Sequence, residues 1–200
     1  MIQFPLFQAQ TEWVKPEKFP DLTNRQEVAI DLETSDPDLK TRGSGSIVGN
    51  GKVVGISVAT EGYQGYFPFD HEGGGNLQKK KVIQWFSDLC KSSSLKIFHN
   101  AMYDVCWIRA MGIEIKGDIV DTMTAASLIN ENRMRYDLNS LGREYIGYGK
   151  NEAALIAGAK EWGIDPKAEM WKLPAMYVGE YAERDAEVTY QLWKKLKQEL

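Results

Sequence analysis

The sequence predicts an α/β domain, and two patterns carry that expectation. Glu27-Val28-Ala29-Ile30-Asp31-Leu32-Glu33-Thr34 alternates with the period of a strand, as do residues 53–59 and 63–69, which the dipeptide Glu61-Gly62 joins as a hairpin. These three make a meander. Residues 95–98 and 118–120 are two further short strands, each running into a helical pattern, and that strand-then-helix alternation separates the chain from an all-β domain.

In the first strand Val28, Ile30 and Leu32 share one face, while Ala29, Asp31 and Glu33 share the other. Two carboxylates therefore project side by side from a segment apolar enough for the middle of a sheet. At ~5 Å and an effective dielectric of about 20 they repel by roughly 3 kcal/mol, and burial adds a cost of the same sign. A shared proton, an arginine or a divalent cation would relieve them. A hard cation does so best, because it selects carboxylate oxygens. Standing alone, an Asp-x-Glu pair reads first as a strand edge facing water.

Residues 1–25, with Pro5, Pro16 and Pro20 among scattered aromatics, read as an extended lead-in. Residues 35–52 hold Pro37, Gly43, Gly45, Gly49 and Gly51 and read as a mobile Gly-rich loop overhanging whatever binds at Glu33. After Gly73-Gly74-Gly75, Asn76 is the expected cap of a helix that turns Val82, Ile83, Phe86, Leu89 and Cys90 inward. Lys79, Lys80 and Lys81 at its start read as a solvated face. His71 reads as a loop residue. His99 to Ile108 turns off the fourth strand into a helix, and a further helix starts at Asp121-Thr122-Met123. Another opens in the run Arg135 to Leu141, capped by Asp137 or Asn139. Residues 151–172 are helical but broken by Gly163 and Pro166, with Trp162 and Trp171 as packing anchors. The last helix runs from about Pro174 through Tyr181 and Asp185 toward Leu196, and its end without a stop signal suggests that the natural chain continues.

The 200 residues, 43% apolar, suit one domain, 1–200. With 24 Lys plus Arg against 28 Asp plus Glu the net charge is −4, which disfavours a protein that coats duplex nucleic acid but allows an acidic site that meets a polyanion through metal ions. Cys90 and Cys106 form no C-x-x-C pattern, so neither a disulfide framework nor a zinc knuckle is indicated. With no signal peptide and no apolar run of spanning length, the sequence reads as a cytoplasmic chain without a membrane partner.

Three motifs form an ordered set: Asp31-x-Glu33, Asn100-x-x-Tyr103-Asp104 and Tyr181-x-x-x-Asp185. The set resembles the three motifs of DEDD-superfamily 3′→5′ exonucleases. More closely, it is similar to the proofreading domain of family A DNA polymerases of bacteria and phages. The similarity runs from about Gln26 to Leu196 and takes in Asp121-Thr122-Met123 and the segment from Arg135 to Leu141. Position 180 is Glu180 and position 181 is Tyr181, which matches the tyrosine branch rather than the histidine branch. The 35–52 insert is longer and richer in glycine than the bacterial pattern.

The resemblance implies a ribonuclease H-like fold, with a mixed five-stranded sheet of an antiparallel meander plus two parallel strands, flanked by helices. It implies two divalent cations, Mg²⁺ or Mn²⁺, held by Asp31, Glu33, Asp104 and Asp185, with Tyr181 orienting the attacking water. It implies substrate contacts from Thr34, Asn100, Tyr103 and Arg135 to a single-stranded DNA 3′ end, a polymerase domain in cis or in trans, and no catalytic role for His99. The alternatives are a 3′→5′ exoribonuclease of the same fold and a catalytically silent nucleic-acid-binding module.

Overall fold

In the computed structural model, which describes residues 10–200, one mixed sheet carries the whole architecture in the order β3-β2-β1-β4-β5. The central strand β1 (Glu27–Ser35) pairs antiparallel with β2 (Lys52–Thr60), which pairs antiparallel with β3 (Tyr63–Pro68). On its other side β1 pairs parallel with β4 (Leu95–Phe98), and β4 pairs parallel with β5 (Ile119–Asp121). The expected meander and the two added parallel strands are all present.

The two faces of β1 are both covered, as its nearly continuous burial requires. Val28, Ile30 and Leu32 face a core built with α2 (Lys79–Lys91) and α3 (Ala101–Ala110), through Phe86, Leu89, Val105 and Ile108. Ala29 faces the opposite way, toward Ala186 and Tyr190 of α7 (Gly179–Leu196), the long helix that crosses the sheet. Small alanines on strand and helix let α7 approach closely. Consequently Asp31 and Glu33, on the Ala29 side, point at α7 rather than into solvent.

Several boundaries differ from the sequence reading. Asn76 does not cap α2: its side chain accepts from the His71 N–H and donates to the His71 carbonyl, both at 2.8 Å, and the helix starts later, after Gln78. The 35–52 segment is not featureless. It contains a short helix, α1 (Gly45–Val48), pinned where the Gly45 N–H donates to the Asp36 carboxylate at 3.0 and 3.2 Å. Gly45 lies so close to the Asn50 carbonyl that any Cβ there would collide with it. Asp121 caps α4 (Thr122–Ile129), and Asp137, not Asn139, caps α5 (Leu138–Tyr145) by accepting from Ser140 N–H at 3.0 Å. After α6 (Ala153–Trp162) ends at Gly163, two single 3-10 turns precede α7, which begins at Gly179 rather than near Pro174. Of the expected lead-in, residues 10–25 carry no helix or strand, and its first nine positions lie outside the described residues. Among the described residues no helix is long and apolar enough to cross a membrane.

Candidate active site

The strand β4 is shorter than its neighbour: it pairs with Glu27, Val28 and Ala29 only, so β1 runs on past its end. The N–H of Leu32 is left without a strand partner on that side, and Asp104, in the first turn of α3, accepts it at 3.1 Å. Asp104 is thereby held beside the acidic half of β1 with 3% of its surface exposed. The register of β1 against β2 slips between Glu33 and Thr34, a bulge that re-aims the end of the strand. Thr34 then meets α3, its hydroxyl 2.9 Å from that of Tyr103. Tyr103 gives its single proton to Asp36 Oδ2 at 2.9 Å, so Thr34 is the donor of the pair.

From the other face α7 delivers Asp185, also 3% exposed, and Tyr181 one turn before it. Carboxylate oxygens of Asp31, Glu33 and Asp185 all lie within 4.8 Å of one another. The first and third motifs therefore converge, and the second reaches the same strand through the bond from the Leu32 N–H to Asp104. Asp104 stands outside that tight trio, yet the charge of Asp31 bears on it.

The electrostatics follow from burial. Burial first, then the charge of Asp185, pushes the Asp31 carboxyl up to about 7. Glu33 is raised well above the usual carboxylate range by burial and then by Asp31 and Asp185, and Asp104 by burial and then by Asp31. Asp185 is raised by burial, with Lys150 pulling the other way. Burial also lifts the Tyr181 phenol well above its ordinary value, so it is no base at neutral pH.

Lys150, in the connection between α5 and α6, is the residue that sequence reasoning missed. Its ammonium donates to Asp185 Oδ2 at 2.8 Å and to Tyr181 Oη at 3.2 Å. Burial works against its charge, but the neighbouring carboxylates, Asp185 foremost, outweigh that and raise its pKa. Even so, Glu33 Oε1 and Asp185 Oδ1 remain buried without a hydrogen-bond partner. Carboxylate oxygens brought together, dehydrated and unpartnered are the donor set of a hard divalent cation, and these residues fit one.

The remaining expected residues are more dispersed. Asn100 sits at the turn from β4 into α3 in a left-handed conformation, φ 66°, held by its N–H donating to Asp121 Oδ1 at 2.9 Å. Its side chain is exposed. Arg135 is exposed too, before α5 rather than in it, and lines a cleft of about 680 Å³ together with Tyr136, Lys150, Lys167 and Tyr181. His99 turns toward Thr122, Nδ1 to Oγ1 2.8 Å, behind the second motif. His71 is a buried loop residue bonded to Tyr66 Oη and the Leu173 carbonyl.

Comparison with known proteins decides the family. A 3′-5′ exonuclease family model, that of family A DNA polymerases, matches residues 15–200. The chain belongs to this 3′-5′ exonuclease family. A DNA-directed DNA polymerase of Pseudomonas phage M6 is 36% identical across 100% of this chain and 31% of its own length. DNA polymerase I of Pseudomonas aeruginosa is 29% identical over 86% of this chain and 18% of its own. The exonuclease domain thus spans less than a third of these polymerase relatives. Among solved structures, Brucella melitensis NrnC bound to pGG superposes with a TM-score of 0.60 at 19% identity, covering 90% of this chain and 76% of that one. The catalytic core of RRP6 from Trypanosoma brucei gives 0.60 at 18% identity, covering 99% and 50%. These two establish the ribonuclease H-like exonuclease fold that the motifs implied.

Proposed function

We propose that this domain hydrolyses the terminal phosphodiester of a single-stranded or frayed DNA 3′ end, in a divalent-metal-dependent reaction that releases nucleoside 5′-monophosphates. The observation that carries the reading is the convergence of Asp31, Glu33 and Asp185 within 4.8 Å, with two of their oxygens buried and unpartnered. Asp31, Glu33 and Asp185 would hold one Mg²⁺ or Mn²⁺, and Asp31 with Asp104 a second. When bound, two such ions acidify the attacking water and neutralise charge on the leaving oxygen. Tyr181 orients the water by its hydroxyl, a task that suits a phenol kept protonated by burial. The bonded hydroxyls of Thr34 and Tyr103 flank the acidic strand where a terminal nucleotide would lie, and the exposed Asn100 borders the same edge. Arg135, on the rim of the cleft beside Tyr181, offers a fork of donors to a phosphate.

A paired terminus must unstack and unpair to reach so buried a cluster, and a mismatched one does so at lower cost. That difference would let the domain edit for a polymerase, in cis or in trans. The test compares wild type with Asp31→Ala and Asp185→Ala on matched DNA and RNA oligonucleotides, with Mn²⁺ and with chelator. Mononucleotides should leave single-stranded DNA only with wild type and metal. Equal digestion by all three proteins would overturn the mechanism, and faster decay of RNA would make the domain an exoribonuclease.

A further inference from the structure

Among the described residues, Lys150 is the only basic side chain bonded to the gathered carboxylates, and it is bonded incompletely. It satisfies Asp185 Oδ2 while Asp185 Oδ1, on the same carboxylate, stays buried and unpartnered. Its backbone is fixed, with the N–H donating to Asn139 Oδ1 at 3.1 Å. Gly149 before it packs so tightly on that same amide that a Cβ would collide with it. The side chain, by contrast, keeps 24% exposure and lines the open cleft that holds Arg135 and Lys167. A fixed root and a long stem between a closed cluster and an open cleft give the ammonium two places to be.

We propose that Lys150 is a built-in counter-ion: it holds Asp185 and Tyr181 in place before a divalent cation arrives, then yields Asp185 to that cation by swinging into the adjoining cleft. The inference rests on reading the cluster as a divalent-metal site. When ionised, the acidic groups packed at one strand end repel one another, and without an internal cation that repulsion weakens the seating of α7 on the sheet. Lys150 Nζ relieves that repulsion, and its second bond, to Tyr181 Oη, holds that hydroxyl beside Asp185, the ring 5.0 Å from the ammonium. Yet an ammonium on a metal ligand also repels the incoming metal. One side chain therefore keeps the site assembled when empty of metal and sets the affinity with which metal enters.

The experiment measures two quantities other than activity: Mn²⁺ affinity by calorimetry, and the melting temperature in chelator. Lys150→Met, which keeps the stem and removes the charge that repels the incoming cation, should bind Mn²⁺ about tenfold more tightly. In chelator it should melt below wild type, with the gap closing at saturating Mn²⁺. Lys150→Arg should keep the wild-type melting temperature in chelator. Lys167→Met, which removes a charge from the same cleft without touching Asp185, should leave the affinity within roughly twofold. Unchanged Mn²⁺ affinity in Lys150→Met, or an equal gain in Lys167→Met, would overturn the counter-ion role. If wild type itself takes up no more Mn²⁺ than Asp31→Asn, the metal-site reading fails first and the counter-ion role falls with it.

Discussion

Trp13 lies with its indole against Gly179, the first residue of α7, so closely that a Cβ at position 179 would collide with the ring. The contact is reinforced on either side. Thr11 Oγ1 and the Glu12 N–H donate to Glu180 at 3.0 and 2.6 Å, and Trp13 Nε1 donates to Glu183 at 2.9 Å. Glu183 also accepts the Tyr66 N–H from the sheet at 3.2 Å. A strap before the first strand thus fastens the turn of α7 that carries Tyr181. Trp13→Ala should lose about 2 kcal/mol of stability by urea unfolding, less than a fully buried aromatic. The loss of exonuclease activity should appear in kcat more than in KM. An unaffected kcat in folded Trp13→Ala would detach the strap from catalysis.

Tyr181→Phe isolates the hydroxyl. The ring keeps its packing and the carboxylates keep their positions, so metal affinity should stay near wild type. The turnover number should fall on the order of tenfold to a hundredfold, as when a group that only orients a reactant is removed. Parallel calorimetry and single-turnover hydrolysis separate the two quantities. A loss of metal affinity as large as the loss of rate would make Tyr181 a prop for Asp185 instead of an orienter of water.

Much of this site was legible in the chain because it is built from local patterns. The alternation at Val28, Ile30 and Leu32 assigns Asp31 and Glu33 to one face, and a four-residue spacing puts Tyr181 and Asp185 on one side of a helix. Lys150 was not legible, since it lies just after Gly147 and Gly149 in a connection with no periodicity, and only the packing of α5 and α6 onto α7 brings it to Asp185. Asn76 misled for a related reason. A side chain with one acceptor and two donors can cap a helix or close a turn, and here the buried His71 backbone claims it. The glycines of the 35–52 insert gave no sign of α1 or of the anchor that pins it, because Asp36 acts through residues nine and sixty-seven positions away.

That anchor is testable. Asp36 accepts from the Gly45 N–H and the Tyr103 hydroxyl, tying the insert to the helix that carries Asp104. Asp36→Ala should cost about 2 kcal/mol of stability, since it strips the N–H of buried Gly45 of its acceptor. The segment holding Lys40 and Arg42 should then be cut faster by trypsin, and KM for an oligonucleotide should rise while kcat is retained. Unchanged cleavage kinetics at Lys40 and Arg42 would mean that the insert holds its shape without Asp36.

The pH dependence of metal-induced stabilisation tests the electrostatics of the cluster. The Asp31 carboxyl is pushed from its ordinary 3.8 up to about 7, by burial and then by Asp185, and Glu33, Asp104 and Asp185 are raised as well. Between 3.8 and about 7 the folded chain thus holds protons that the unfolded chain has released. For Asp31 this contribution to stability is full at the acid end of that window and is lost as pH rises through about 7. His71 and His99 work in the opposite sense. Burial pushes both from 6.5 down to about 4, so their contribution is present above 6.5 and lost as pH falls through 4. A divalent cation takes the place of the protons on the carboxylates and leaves the histidines untouched. The gain in melting temperature on adding Mn²⁺ should therefore be several degrees larger at about pH 8 than at about pH 5.5. Glu33→Gln, which removes one charge that the metal would neutralise, should flatten that difference. A Mn²⁺ gain that is the same at both pH values would mean that the carboxylates do not exchange protons for metal.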